Sequence, residues 1–262
     1  MSRNRERLGG TQDKNTSATM PVAQDNGGGD SFSFVVPTDF VELPSKGKYY
    51  PEGHALHNEE TIEIRQMTAK EEDILTSRSL LKKGLAIDRL IKNLIVDKGI
   101  NADQLLTGDR NAIVVAARIA AYGSHYETKV TCPACTVPQV YTFNLSDDSE
   151  TYEGKTSEDI EASDNGDGTF NVELPVTGLT VTFRLLRGFD EKQLIKAAVS
   201  RKTNKNNGLE NNITTQLSNI IVSVNGDSSP QAINYLVENI PSMDSRHLRF
   251  VHRMATPNVE LA

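Results

Sequence analysis

Two cysteines carry the sharpest chemical signal in this 262-residue chain. Cys132-Pro133-Ala134-Cys135 spaces its thiols as a Cys-x-x-Cys knuckle does, and a knuckle at a hairpin tip is the usual way to set two thiolates on one tetrahedral zinc ion. A structural zinc site needs four ligands, and the sequence has no second Cys pair. The other ligands would have to come from His125 close by, from His54 or His57 further upstream, or from the same knuckle of another subunit. A redox role is disfavoured, because a low thiol pKa usually takes a helix N-terminus and this motif precedes a strand pattern. The plain alternative is a reduced pair that only shapes a turn. Thr136, where a knuckle usually carries Gly or Lys, leans that way. No cofactor is required by the sequence, and a structural zinc ion is the one candidate.

Other residue clusters offer less chemistry. Asp164-Asn165-Gly166-Asp167-Gly168 has the look of a calcium loop, but with Gly168 at the sixth position the twelfth is Leu174 rather than Glu, so a turn is the better reading. The common nucleotide, hydrolase and zinc-protease signatures are absent, and no enzyme is expected. Lys46 and Lys48 beside Tyr49 and Tyr50 suit a partner contact, or a loop whose tyrosines pack on their own domain. Arg246, His247, Arg249, His252 and Arg253 make a locally basic stretch, either a docking face for an acidic partner or an ordinary solvated helix face.

Composition narrows the function classes. A net charge of −7 leaves no global positive field to hold a polyanion, so a zinc-knuckle nucleic-acid binder is only the second reading. Apolar runs such as 113–117 and 179–186 fall well short of the ~20 residues that cross a bilayer. The Arg-rich start lacks the apolar stretch of a secretory signal, and with two cysteines the expected compartment is a reducing cytosol.

The elements that must position these residues follow from periodicity. Residues 1–31 are rich in Gly, Asn, Ser and Thr, with too few apolar side chains to offset chain entropy, and read as a disordered arm. Residues 32–125 read as a β segment, with a strand at 61–65, followed by three helices. The first spans about 69–82 behind a Thr68/Glu71 capping box. The second carries the stripe Ile87, Leu90, Ile91, Leu94, Ile95, and the third, 110–122, is capped by Asp109. Residues 126–188 alternate with period two as two hairpins, the first tipped by the cysteines, separated by an acidic solvated loop at 147–167. Residues 189–262 read as helical, with an exposed Lys/Asn loop at 201–212, and with Ser229-Pro230 and Met243-Asp244-Ser245-Arg246 as helix starts. The fold class is therefore α+β: a helical unit with an early β segment, a central two-hairpin region with the knuckle, and a helical C-terminus.

Several ordered blocks resemble a known family. They are Leu43-Pro44-Ser45-Lys46-Gly47-Lys48-Tyr49-Tyr50-Pro51, the run from Met67-Thr68-Ala69-Lys70-Glu71 to Lys83-Gly84, Leu106-Thr107-Gly108-Asp109-Arg110-Asn111-Ala112-Ile113, and Tyr126-Glu127-Thr128-Lys129-Val130-Thr131 leading into the knuckle. Together they are similar to the baseplate hub assembly proteins of T-even-like contractile-tailed phages, the myoviruses. The resemblance implies a non-catalytic tail protein that helps build the central hub of the baseplate, as a subunit or as an assembly chaperone. Its partners would be other hub and tail proteins, with self-association left open and neither nucleic acid nor membrane involved. Its place would be the host cytoplasm during assembly, and the virion baseplate if it stays.

Overall fold

Alternation at the start of the folded region produces two paired strands. β1 (Thr38–Glu42) and β2 (Thr61–Arg65) run antiparallel, with Thr38 opposite Arg65 and Glu42 opposite Thr61. Val41, Ile62 and Ile64 enter the core while Phe40 stays outside. The structure, a computed structural model, describes residues 34–155, 157–203 and 212–261, so the expected arm at 1–31 lies outside it. The compact unit that carries the fold is Pro37–Ala262.

Three short helices follow: α1 (Ala69–Thr76), α2 (Arg78–Lys83) and α3 (Ala86–Leu94). The helix expected over 69–82 is thus broken in two at Ser77, whose backbone is extended (ψ 106°) and whose hydroxyl lies 3.2 Å from that of Ser79. Serine competes for local hydrogen bonds in this way and favours helix starts over interiors. Glu71 behaves as a capping-box residue should, accepting from the Thr68 amide at 3.0 Å, and it also takes Arg65 at 2.6 and 3.0 Å. Burial works against its charge, but the donors of Arg65 and Thr68 outweigh burial and hold its pKa at about 2. The stripe of α3 buries Leu90, Ile91 and Leu94, with Ile95 buried just beyond the helix end, while Ile87 in the first turn stays exposed.

The longest of these helices, α4 (Thr107–Tyr122), leads into β3 (His125–Thr131) and β4 (Pro138–Asn144). Asp109 does not cap it. Leu106 occupies the cap position and Asp109 is buried in the first turn, committed to another loop.

The acidic stretch 147–167 is not a bare solvated loop. It contains β5 (Ser149–Tyr152), α5 (Ser157–Ile160) and β6 (Ala162–Asp164). Its few apolar residues decide this: Ile160 and Ala162 are buried, and the Tyr152 hydroxyl donates to the Met254 carbonyl at 2.7 Å. The calcium-like pentad is a turn, with Asp164 accepting from the Gly166 amide at 2.8 Å and Asp167 from the Thr169 amide at 2.9 Å.

β7 (Thr169–Glu173) and β8 (Thr180–Arg184) form the expected second hairpin, which lies inside a four-stranded antiparallel sheet ordered β6-β7-β8-β9, where β9 is Ile221–Val224. Chain returning to this sheet passes through α6 (Gly188–Thr203) and α7 (Asn212–Ile220). The loop expected at 201–212 therefore differs at both ends, since α6 runs through Thr203 and α7 begins at Asn212, and 204–211 lies outside the described residues. Ile221, read from its apolar spacing as helical, is the first residue of β9. In four residues a buried β-branched run cannot be told from a helix by period alone.

α8 (Pro230–Asn239) starts at its Ser-Pro signal, the Ser229 hydroxyl accepting from the Ala232 amide at 3.3 Å. α9 (Ser242–Ala255) then packs Asp244, Leu248, Val251, His252 and Ala255 inward, one stripe at helical spacing. The chain closes with β10 (Asn258–Leu261), which pairs antiparallel with β5 and crosses the start of α4. Gly108 permits that crossing, because a Cβ there would sit 1.9 Å from the Pro257 carbonyl oxygen. One core joins these elements, running from Val41 in β1 through Ile113, Phe183 and Leu217 to Val251 and Ala255. The architecture is α+β.

Candidate docking hairpin

A buried polar node fixes the start of α4, the helix that leads into the β3/β4 hairpin. Asp109 accepts from the Ser45 amide (3.0 Å), the Ser45 hydroxyl (2.6 Å) and the Tyr50 hydroxyl (2.7 Å), and Tyr50 in turn accepts from the Leu106 amide at 3.0 Å. Burial pushes the Asp109 carboxyl upward against the pull of these donors. Tyr50 stacks on His54 with ring centroids 4.7 Å apart, and Tyr49 packs on Phe170 at 5.9 Å. Gly47, at φ +70°, lets the loop fold back where a Cβ would meet the Leu56 carbonyl oxygen at 2.4 Å. Tyr49 and Tyr50, expected among partner-contacting residues, are buried instead and fasten 43–60 onto α4. The sequence signal was there in the Gly/Pro-rich loop, but nothing in it marked Asp109 as the acceptor.

At the far end of α4 the chain leaves the body. Gly123 turns it, and Arg118 donates to the Gly123 carbonyl at 3.0 Å while its guanidinium lies 4.9 Å from the Tyr122 ring and 5.8 Å from that of Tyr126. The Leu145 amide donates to the Ser124 carbonyl at 2.8 Å, and buried Leu145 closes the base. Beyond this base β3 and β4 pack chiefly on each other. Register puts Tyr126 opposite Phe143, Thr128 opposite Tyr141 and Val130 opposite Gln139, and directly opposed residues share a face. That face is apolar and uncovered: Tyr126 is 40%, Val130 42% and Tyr141 53% exposed. Tyr141 and Phe143 meet edge to face at 4.6 Å. The other face carries His125, Glu127, Lys129 and Thr131 from β3, with Thr142, exposed Val140 and Pro138 opposite from β4. Such alternation normally buries one face. Here that face is left exposed among the described residues.

The two cysteines cap this ribbon. Cys132 donates its amide to the Val137 carbonyl at 3.1 Å, and the Thr136 amide donates to the Cys132 carbonyl at 2.8 Å. Thr136 itself is left-handed, with φ 57°, the conformation for which Gly is the easier residue. The amides of Cys135 and Ala134, together with the Cys135 side chain, face the Cys132 sulfur and draw its thiol below the ordinary range. Neither cysteine is in a disulfide, and Cys135 is exposed. His125 is not a neighbour: it pairs with Asn144 at the opposite end of β3, roughly 20 Å away at ~3.3 Å per residue. His54 and His57 belong to the Tyr50 loop, where the His57 ring nitrogen lies 2.7 Å from the Tyr50 carbonyl oxygen. Among the described residues no three His, Cys, Asp or Glu side chains converge as a metal site.

Comparison with known families decides the class of protein. A family described as T4 bacteriophage base plate protein matches residues 36–262. The chain belongs to this family. No curated protein and no solved structure matches it significantly. The matched span begins within a residue of the compact unit and includes the β3/β4 hairpin. No helix among the described residues is long and apolar enough to cross a membrane.

The remaining charged residues of this baseplate protein are distributed unevenly. Lys46 pairs with Glu153 and Lys48 with Asp164, each at 2.6 Å, so the lysines tie the tyrosine loop to the acidic segment. On α9, Arg246 is exposed and Arg249 half-buried, its Nε donating to the Ser245 carbonyl at 3.2 Å. His252 does not share their face. It lies on the buried stripe, edge-on to Phe183 at 5.6 Å, its Nε2 has no hydrogen-bond partner, and burial lowers its pKa to about 4. Arg110, which no sequence signal marked, is buried and donates to the Ala102 carbonyl (2.8 Å), Asp88 (2.5 Å) and Glu191 (3.0 Å). It lies beside a shallow apolar groove lined by Leu81, Ile87 and Ile195, and its guanidinium is committed to its own chain.

Proposed function

We propose that this baseplate protein acts at the central hub, as a subunit or as a factor in its assembly, by binding neighbouring baseplate proteins without catalysing a reaction. The family match over 36–262 supports the baseplate role, and the observation that carries the binding mode is the uncovered Tyr126/Val130/Tyr141 face of the hairpin. A ribbon fixed at its base by Arg118 and Leu145 presents that face with little conformational freedom to lose, which favours docking. Arg246 and Arg249 offer a second, polar contact for an acidic partner.

Quantitative mass spectrometry of purified virions, of baseplate hub intermediates and of infected-cell lysate tests the reading. Recovery in stoichiometric amounts from both hub intermediates and virions marks a subunit. Presence in intermediates with loss from virions marks an assembly factor acting in the host cytoplasm. Absence from both contradicts the hub assignment.

A further inference from the structure

The hairpin tip has the backbone of a metal knuckle but only half of its ligands. Cys132 and Cys135 sit in a tight turn closed by the Cys132-to-Val137 and Thr136-to-Cys132 hydrogen bonds. Thr136 accepts a left-handed backbone to complete that turn, a conformation that costs a β-branched residue ~1 kcal/mol or more.

This chain cannot complete the coordination sphere. All five His and both Cys of the sequence lie among the described residues. His54 and His57 are engaged around Tyr50, His252 is in the core, His247 is on α9, and His125 is at the opposite end of β3. A tetrahedral soft-ligand site at the tip therefore takes its other two thiolates from outside the chain. A second knuckle is the matching donor, and an isologous contact in which each copy gives the same pair closes the site with no ligand left over. Charge does not oppose it. Residues 130–143 contain no Asp, Glu, Lys or Arg, although 24% of the chain is charged, and Val137 beside the knuckle is exposed.

We infer that two copies of this chain share one zinc-class divalent cation, bound by Cys132 and Cys135 of each hairpin tip. Each thiol loses its proton as the ion binds, so the four sulfurs enter as thiolates. The contact involves the tip alone and leaves the Tyr126/Tyr141 part of the ribbon open. It does not depend on the hub assignment.

The test uses the full-length protein purified with reductant, equilibrated with zinc chloride and passed over a chelating resin. Metal content is read by inductively coupled plasma mass spectrometry, and mass by light scattering. Expected are one zinc per two chains, a dimer that EDTA converts to monomer, and loss of both zinc and dimer in Cys132→Ser and in Cys135→Ser. These variants keep the melting temperature of the zinc-free wild type, since the tip touches nothing in the core. Cobalt substitution should give the intense visible bands of a tetrahedral thiolate site. The inference is overturned by one zinc per monomer, by zinc retained in either Ser variant, or by a reduced wild-type chain that holds no zinc.

Discussion

The Tyr50 hydroxyl lies 2.7 Å from Asp109 Oδ2 while accepting from the Leu106 amide at 3.0 Å, so one phenol joins the first loop of the fold to the start of α4. Removing it leaves the buried Leu106 amide without a partner, at ~1–3 kcal/mol, and leaves Asp109 Oδ2 with the Ser45 hydroxyl alone. Tyr50→Phe should therefore lower the urea midpoint by an amount equivalent to ~2 kcal/mol with an unchanged m value. Asp109→Ala should cost more, because the Ser45 amide and hydroxyl lose their acceptor too. Additive single-variant effects in a Tyr50/Asp109 double-mutant cycle would contradict the coupling.

His252 makes stability depend on pH in a defined window. Burial holds its pKa at about 4, below the ordinary ~6.5, with a backbone hydrogen bond at Arg184 and the Arg184 charge as smaller influences in opposite directions. The folded protein thus favours neutral His252, and this contribution is complete above pH ~6.5 and is lost as pH falls from there to about 4. Denaturant titrations of wild type and His252→Leu between these limits should diverge in slope by up to ~1.4 kcal/mol per pH unit, with wild type the more acid-sensitive. Parallel curves would contradict it.

Arg118 braces the base of the ribbon through the Gly123 carbonyl and two tyrosine rings. Arg118→Ala should cost only ~0.5–1 kcal/mol globally, since the residue is half-buried at the surface of α4. Amide hydrogen exchange within β3 and β4 should nevertheless quicken at least several-fold while exchange in the four-stranded sheet stays the same. Equal acceleration in both would show that the ribbon is not an independent unit.

These predictions separate what the sequence makes legible from what it hides. Period and punctuation were enough for β2, the β7/β8 hairpin, the α3 stripe and the Ser-Pro start of α8, because each is set by residues next to one another. The paired Tyr126/Val130 and Tyr141/Phe143 alternation was equally plain, but only the tertiary arrangement shows its apolar face uncovered. Asp109 looked like a helix cap because that is what Asp does locally; its true partners are 59 and 64 residues away. β5, β6 and β10 were hidden because acidic or short segments become strands only through a partner, here β10 closing on β5 and β6 joining β7. His252 looked basic among arginines, and helical spacing from Leu248 and Val251 was the signal that placed it inside.

The central claim is that the apolar face of the hairpin is what this protein presents to the baseplate. It is tested most directly by replacing Val130 and Tyr141 together with Lys in a phage that otherwise lacks the gene, and by measuring the chain's share in sedimented baseplate hub intermediates. Both side chains are exposed, so stability should stay within ~0.5 kcal/mol of wild type. The account predicts a folded variant that is depleted at least tenfold from the intermediates, with a matching fall in infectious particles. Recovery of the variant at wild-type levels would contradict it.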